Sequence, residues 1–167
     1  MSSFSIKIES VQYSEAEVLR SFGETTFRET FQDQNDPQNL ADYLKSSFTL
    51  EKIQSQLQNP NTTFYFSRLD GEITGYLKLN LTNEDVEIER IYVKHEFQGR
   101  KIGKALYAKA LGIAKERSAK RLWLGVWQEN KKAIDFYKRQ GMEIFDVRTF
   151  QLGNEPQDDY LMRIELT

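Results

Sequence analysis

Residues 87–106 constrain the fold more than any other stretch. Glu87-Ile88-Glu89-Arg90-Ile91-Tyr92-Val93 carries the apolar and aromatic side chains of a strand. Phe97-Gln98-Gly99-Arg100-Lys101-Ile102-Gly103-Lys104-Ala105-Leu106 then turns on glycine and opens a helical pattern. The first N–H groups of a helix have no intrahelical partner, and the helix dipole favours negative charge beside them. Arg100, Lys101 and Lys104 put cationic side chains around those donors. The pattern reads as a seat for a pyrophosphate, and it also suits a solvated basic surface loop. Neither G-x-x-x-x-G-K-[ST] nor G-x-G-x-x-G occurs, which argues against a P-loop nucleotidase and a dinucleotide fold.

About thirty residues on, Arg121-Leu122-Trp123-Leu124-Gly125-Val126-Trp127 reads as a buried strand. Asn130 follows as a helix N-cap, and Gly141 stands just past the last helical residue, Gln140. Asn130 and Tyr137 are close to two turns apart at about 3.6 residues per turn, so the amide and the phenol share one helix face. Tyr137 also suits a core tyrosine beside Phe136.

The order of elements says α/β or α+β with one central sheet. Ser5–Glu9 is a first strand. Ser14-Glu15-Ala16-Glu17 is a capping box for a helix to about Phe31, with Val18, Leu19, Phe22 and Phe27 on its apolar side. Pro37 starts a second helix carrying Leu40, Tyr43, Leu44 and Phe48, and 50–58 makes a third. Strands 63–69 and 73–81 join through Asp70-Gly71. A strand at 86–93, a helix at 103–117 burying Leu106, Ala110, Ile113 and Ala114, the strand at 121–127 and a helix at 131–140 follow. A hairpin of 143–152 and 158–166 closes the chain.

At 167 residues, 39% of them hydrophobic and 29% charged, the chain suits one globular domain, residues 1–167. No apolar run approaches the ~18–20 residues that span a bilayer, and Met1–Ser10 does not read as a leader, so the expected compartment is the cytoplasm. Zero cysteines exclude disulfides and thiolate chemistry, and the single histidine, His95, makes a metal centre improbable. The net charge of −2 hides an asymmetry: residues 94–121 hold nine Lys/Arg against two acids, residues 14–59 eight acids against four bases. Both runs suit solvated helix faces. They also fit an anionic ligand on one side and a cationic one on the other. Nucleic acid fits less well at a pI of about 5.6.

Strand, Q-G-R-K-I-G-K-A-L, helix, strand ending V-W, then N-x-x-A-x-x-F-Y-x-x-x-G-M resembles the GNAT superfamily of acetyl-CoA-dependent N-acetyltransferases, over roughly residues 63–166. The phrases I-E-R-I-Y (88–92), W-L-G-V-W (123–127) and A-I-x-F-Y-K (133–138), with Phe27, Thr30, Phe31, Asn35, Pro37 and Asn39, resemble the bacterial PaiA-type spermidine/spermine acetyltransferases. The resemblance implies a central mixed, mostly antiparallel sheet of about seven strands flanked by helices, with strands 86–93 and 121–127 splayed apart. It implies that the backbone of Ile91, Tyr92 and Val93 pairs with pantetheine. Gln98, Gly99, Arg100, Lys101, Ile102, Gly103 and Lys104 would hold the pyrophosphate, and Asn130, Ala133 and Tyr137 would line the cofactor arm. It names acetyl-CoA as co-substrate, no metal, a small cationic amine as acceptor, and no nucleic acid or membrane partner; a homodimer is compatible with it.

One position departs. The family turn is [QR]-x-x-G-x-[GA], and Lys101 replaces its first glycine. If that position needs positive φ, lysine costs roughly 1–2 kcal/mol; if the backbone stays in the α region it costs little.

Acetyl transfer needs a deprotonated amine, a polarised thioester and a proton for the leaving thiolate. Tyr137 is the expected general acid, because an ordinary phenol stays protonated at neutral pH. Glu87 and Glu89 share a strand face, and Glu89 is the favoured base; the same carboxylates also suit surface charges paired with a neighbour. His95 fits an exposed loop residue better than a base. Trp123, Trp127, Phe22, Phe27, Phe31 and Tyr43 suit the core, or an aromatic amine channel. The expected function is acetylation of a polyamine. The rivals are acetylation of a protein N-terminus or lysine, and a non-catalytic acyl-CoA sensor.

Overall fold

The computed structural model describes residues 5–166, so the first four residues of the Met1–Ser10 segment lie outside it. Seven strands, β1 (Ile6–Ser10), β2 (Thr62–Leu69), β3 (Glu72–Leu81), β4 (Asp85–Val93), β5 (Arg121–Trp127), β6 (Glu143–Leu152) and β7 (Glu155–Glu165), form one sheet. Their order is β1-β2-β3-β4-β5-β7-β6, and every neighbouring pair is antiparallel except β4–β5. Among the described residues five α-helices flank the sheet: α1 (Ala16–Phe31), α2 (Pro37–Ser47), α3 (Leu50–Gln58), α4 (Ile102–Glu116) and α5 (Lys131–Arg139). No helix of the described residues is long and apolar enough to cross a membrane.

The parallel β4–β5 pair follows from its connection. Parallel neighbours need a crossover, and α4 supplies it. On the α4 face, Leu77, Leu79, Ile88, Leu122, Leu124 and Met162 pack against Ile102, Leu106, Tyr107, Ala110 and Ala114. On the opposite face, Leu19, Ile53, Phe64, Phe66 and Tyr76 form a core under α1 and α3. Phe27, Phe31, Leu40, Leu44 and Phe48 of α1 and α2 close over Trp127 and Leu152.

Local chemistry sets the helix starts, with one correction. The capping box is Gln12 with Glu15, around a 3-10 turn at Tyr13–Glu15, rather than Ser14 with Glu17. Glu17 instead pairs with Arg20. Val18 is 48% exposed, and Ala16, Gly23, Thr26 and Phe31 make up the rest of the buried stripe with Leu19 and Phe27. Gly23 sits there because a Cβ would lie 2.7 Å from the Phe48 ring. Pro37 begins α2 as expected, with Asp36 accepting from the Asn39 N–H at 3.0 Å. Ile113 is only partly buried, and Tyr107 takes the fully packed place on α4. The closing hairpin turns on Gly153-Asn154, so β7 begins at Glu155, three residues earlier than its pattern indicates.

Two irregularities in β4 prepare the site. Pairing with β5 runs from Asp85↔Arg121 to Ile88↔Leu124 and stops. On the β3 side the register slips between Lys78↔Arg90 and Leu79↔Ile88, leaving Glu89 as the extra residue of a β-bulge. A bulge bends its strand and re-aims side chains. Here it turns β4 away from β5, and the two strands diverge beyond Ile88.

Candidate active site

A cleft of about 770 Å³ opens where β4 and β5 part. Its strand walls are Ile88, Glu89, Ile91, Tyr92 and Val93 on one side and Leu124, Gly125, Val126 and Trp127 on the other. Ile91, Tyr92 and Val93 pair with Leu77, Tyr76 and Gly75 of β3 but have no β5 partner, so the backbone groups aimed at the gap are open to a ligand. Gly75 permits this edge: a Cβ there would come within 2.6 Å of the Tyr92 carbonyl oxygen.

The floor of the cleft is the turn into α4. Gln98, Gly99, Lys101, Ile102, Gly103 and Lys104 line it. Gly99 (φ +85°) and Lys101 (φ +64°) are both left-handed, and Lys101 is the N-cap residue of α4. The departure at Lys101 is therefore strained, at a cost of about 1–2 kcal/mol, because a Cβ in this region crowds the backbone carbonyl. The conformation turns the chain so that the free N–H groups of α4 face the cleft, a geometry that receives anions. Gln98 is tied down from both sides: it donates to the Val93 carbonyl at 3.3 Å and accepts from Lys132 Nζ at 3.4 Å. Arg100 is not brought to the cleft; its guanidinium stands over the Phe97 ring, 5.6 Å from the centroid.

The far wall is α5. Asn130 caps it by accepting from the Ala133 N–H at 3.3 Å, and Asn130, Ala133 and Tyr137 all line the cleft. Tyr137 is only 7% exposed and packs against Tyr107 and Phe136. Burial pushes its phenol well above the ordinary value, with Tyr107 adding to the effect. Tyr107, on α4, is itself pushed up to about 12 by burial. A phenol in this setting stays a proton donor throughout the physiological range.

Glu89 faces the cleft from the bulge. It accepts from Lys78 Nζ at 2.6 Å and from Asn80 Nδ2 at 2.8 Å, and Asn80 also donates to Glu87 at 3.0 Å. Glu87 and Glu89 do share a face. The bulge adds Arg90 to the same side, over the Phe48 ring at 4.5 Å, which simple alternation would have put on the other. Burial raises the Glu89 carboxyl, but the charges of Lys78 and Arg90, with the hydrogen bonds from Lys78 and Asn80, outweigh it and hold the group below its ordinary value. Lys78 is 4% exposed, and burial lowers its ammonium despite Glu89. Glu89 is thus an ion-paired carboxylate, less basic than a free one.

Of the six aromatics suited to the core or an amine channel, Phe31 and Trp127 reach the cleft; Phe27 and Tyr43 stack behind them, Phe22 packs edge-on to Tyr76, and Trp123 is not in the lining. His95 begins a 3-10 turn and lines a smaller adjoining cavity of about 210 Å³, together with Glu29, Gln34 and Glu129. Sequence reasoning missed Lys132, Arg139 and Thr30, which also line the main cleft. Lys132 and Arg139 are seven apart on α5, the spacing that singled out Asn130 and Tyr137, so the signal for those two was present.

The chain matches the sequence profile of the Acetyltransferase (GNAT) family over residues 23–142 and belongs to that family. It is an acyltransferase. Over 166 residues it is 36% identical to an uncharacterized N-acetyltransferase in the pepI 3′ region of Lactobacillus delbrueckii subsp. lactis, covering 95% of this chain and 96% of that one. Over 147 residues it is 23% identical to a spermidine N(1)-acetyltransferase of Thermoplasma acidophilum, covering 86% and 91%. The fold matches the PaiA N-acetyltransferase of T. acidophilum solved in complex with coenzyme A, with a TM-score of 0.83 at 21% identity over 97% of this chain and 99% of that one.

Proposed function

We propose that this chain transfers an acetyl group from acetyl-CoA to a primary amine of a small polycation of the spermidine/spermine class, with Tyr137 as general acid. The observation that carries the reading is the end of β4–β5 pairing at Ile88↔Leu124, which leaves a strand edge, a helix N-terminus and a buried phenol around one cleft. Acetyl-CoA supplies an activated acyl group on a thiol leaving group.

Its parts fit residues already described. Pantetheine, an extended chain of amides, suits the free β4 edge at Ile91, Tyr92 and Val93, as an added strand would. The pyrophosphate suits the α4 N-terminus with Lys101 and Lys104, and Lys132 and Arg139 add positive charge on the α5 side. Asn130 and Ala133 suit the arm between. At the reacting end, the backbone and Tyr137 fix orientation, which can supply much of the rate of a two-substrate transfer. Tyr137 then donates its proton to the departing thiolate.

The polyamine reading is supported by the acid-rich α1–α3 side, by Glu29 and Glu129 in the adjoining cavity and by the spermidine acetyltransferase among the relatives. Glu89, the carboxylate in the lining of the cleft, is placed to take up the amine proton through water. The test is thiol release by the purified chain with acetyl-CoA and spermine, spermidine, putrescine, lysine or N-terminal peptides. Turnover strongest with spermidine or spermine is expected. Turnover with peptides alone would discard the polyamine acceptor, and CoA binding without turnover on any amine would leave a sensor.

A further inference from the structure

Beside the gap, behind Gly125, lies a second carboxylate with no part in the proposed transfer. Asp159 lies on β7 directly across from Trp127 of β5, and Arg148 of β6 is its partner in register. Directly opposed residues of an antiparallel pair point to the same face, so Asp159 and Arg148 share the face of Trp127, under α1 and α2. Asp159 is 8% exposed. Its Oδ2 accepts from Arg148 Nη2 at a long 3.4 Å, and its Oδ1 is buried with no partner.

Gly125 explains where these groups reach. A Cβ at Gly125 would collide with Arg148 Nη2 and lie 3.2 Å from Asp159 Oδ2. Gly125 lines the main cleft, one residue beyond the last β4–β5 pair. The guanidinium and the carboxylate therefore pack directly behind Gly125, which with Trp127 separates them from the cleft, and only the absence of a side chain at Gly125 leaves them room. Glu89 occupies the opposite edge, already holding a salt bridge to Lys78 and a hydrogen bond from Asn80. Of these two carboxylates, Glu89 lines the cleft and is saturated, whereas Asp159 lies behind Gly125 and keeps a buried oxygen without a partner.

We propose that Asp159 is the carboxylate that receives the acceptor's ammonium group, and that the Arg148 guanidinium is the cation it gives up in exchange. The exchange is non-covalent: one positive charge replaces another, and no proton need move on docking. A buried carboxylate with an unmet oxygen is costly to keep unless a ligand completes it. Burial raises the Asp159 carboxyl and Arg148 only partly opposes it, consistent with a group short of positive charge. Arg148 is 44% exposed in its side chain, free to swing out. The inference rests on the amine-acetyltransferase reading and adds to it a residue that selects the acceptor.

A structural ion pair and an exchangeable one predict opposite outcomes. In steady-state assays of the full chain with acetyl-CoA and spermidine, Asp159→Asn should raise the KM for spermidine about tenfold or more, with the KM for acetyl-CoA within about twofold. Arg148→Gln should lower the spermidine KM by about threefold, because a competing cation has gone. The double variant should behave like Asp159→Asn. If both single variants raise the spermidine KM, or neither moves it, the inference is overturned while the acetyltransferase reading stands. If no amine releases CoA from the parent chain, that reading falls and the inference with it. Should Asp159→Asn not fold, the direction of the Arg148→Gln shift decides alone.

Discussion

Replacing Lys101 by glycine should stabilise the fold and weaken the phosphate seat at once. Lys101 holds φ +64° and ψ 18° at the head of α4, and a non-glycine residue there carries about 1–2 kcal/mol of strain. Glycine relieves that strain but gives the unfolded chain more freedom, which takes back about 0.4–1 kcal/mol. The net gain is about 0–1.6 kcal/mol, centred near 0.8, and at about 2–4 °C per kcal/mol for a chain of this size the Tm should rise by about 2–3 °C. The lost charge works the other way: an exposed cation paired with a phosphate contributes about 0.2–1 kcal/mol, so CoA should bind up to about fivefold more weakly. Thermal melts and calorimetric CoA titrations of Lys101→Gly, Lys101→Ala and Lys101→Asn separate the two effects. Alanine removes the charge and keeps the strain; asparagine tolerates the left-handed region and falls between. A glycine variant that melts no higher than the alanine variant would refute the strain argument, and CoA affinity equal in all four proteins would refute the role of the charge.

Tyr137→Phe should lower kcat by about 10²-fold or more with the CoA affinity nearly kept, since it removes a proton donor and leaves the ring packing intact; an unchanged kcat would take Tyr137 out of the chemistry. Because burial holds that phenol above its ordinary value, kcat in the parent chain should show no alkaline loss from Tyr137 below about pH 10, checked by a pH–rate profile. Glu89→Gln should destabilise the fold by roughly 1–3 kcal/mol in urea melts, because it strands the buried Lys78 ammonium; the figure is below the ~3–5 of a fully buried pair since Glu89 is 33% exposed. Lys78→Met in the same background should recover most of the loss. Asp159 carries the opposite sign. Its folded carboxyl is raised, so the folded state binds more protons than the unfolded one and stability falls as pH climbs through that titration. Asp159→Asn should therefore raise the Tm at pH 7 and gain little at pH values below the ordinary carboxylate range; equal gains at both pH values would show that charge is not the cause.

The reach of the sequence differed from element to element. Strand–turn–helix at 87–106, Asn130 as a cap and Asn130 with Tyr137 on one face were legible because short-range chemistry specifies them: periodicity, capping and glycine turns act within a few residues. The Gln12–Glu15 box was misread by two positions because Ser14 and Glu17 satisfy the same spacing, and packing decides between overlapping caps. The exposure of Val18 and the burial of Tyr107 depend on where the neighbouring helices sit, which helical periodicity alone does not carry.

The sequence by itself determined the order of elements, the chemistry of the cofactor-facing turn and the family resemblance that the profile match bears out. Only the tertiary structure decided that Lys101 is left-handed, that Glu89 is a bulged residue saturated by Lys78 and Asn80, and that Asp159 and Arg148 meet over Gly125. Each is a relation between residues on different strands or across a turn. Strand register and the partners of a carboxylate are set by what packs against them, from segments 9 to more than 30 residues away in this chain.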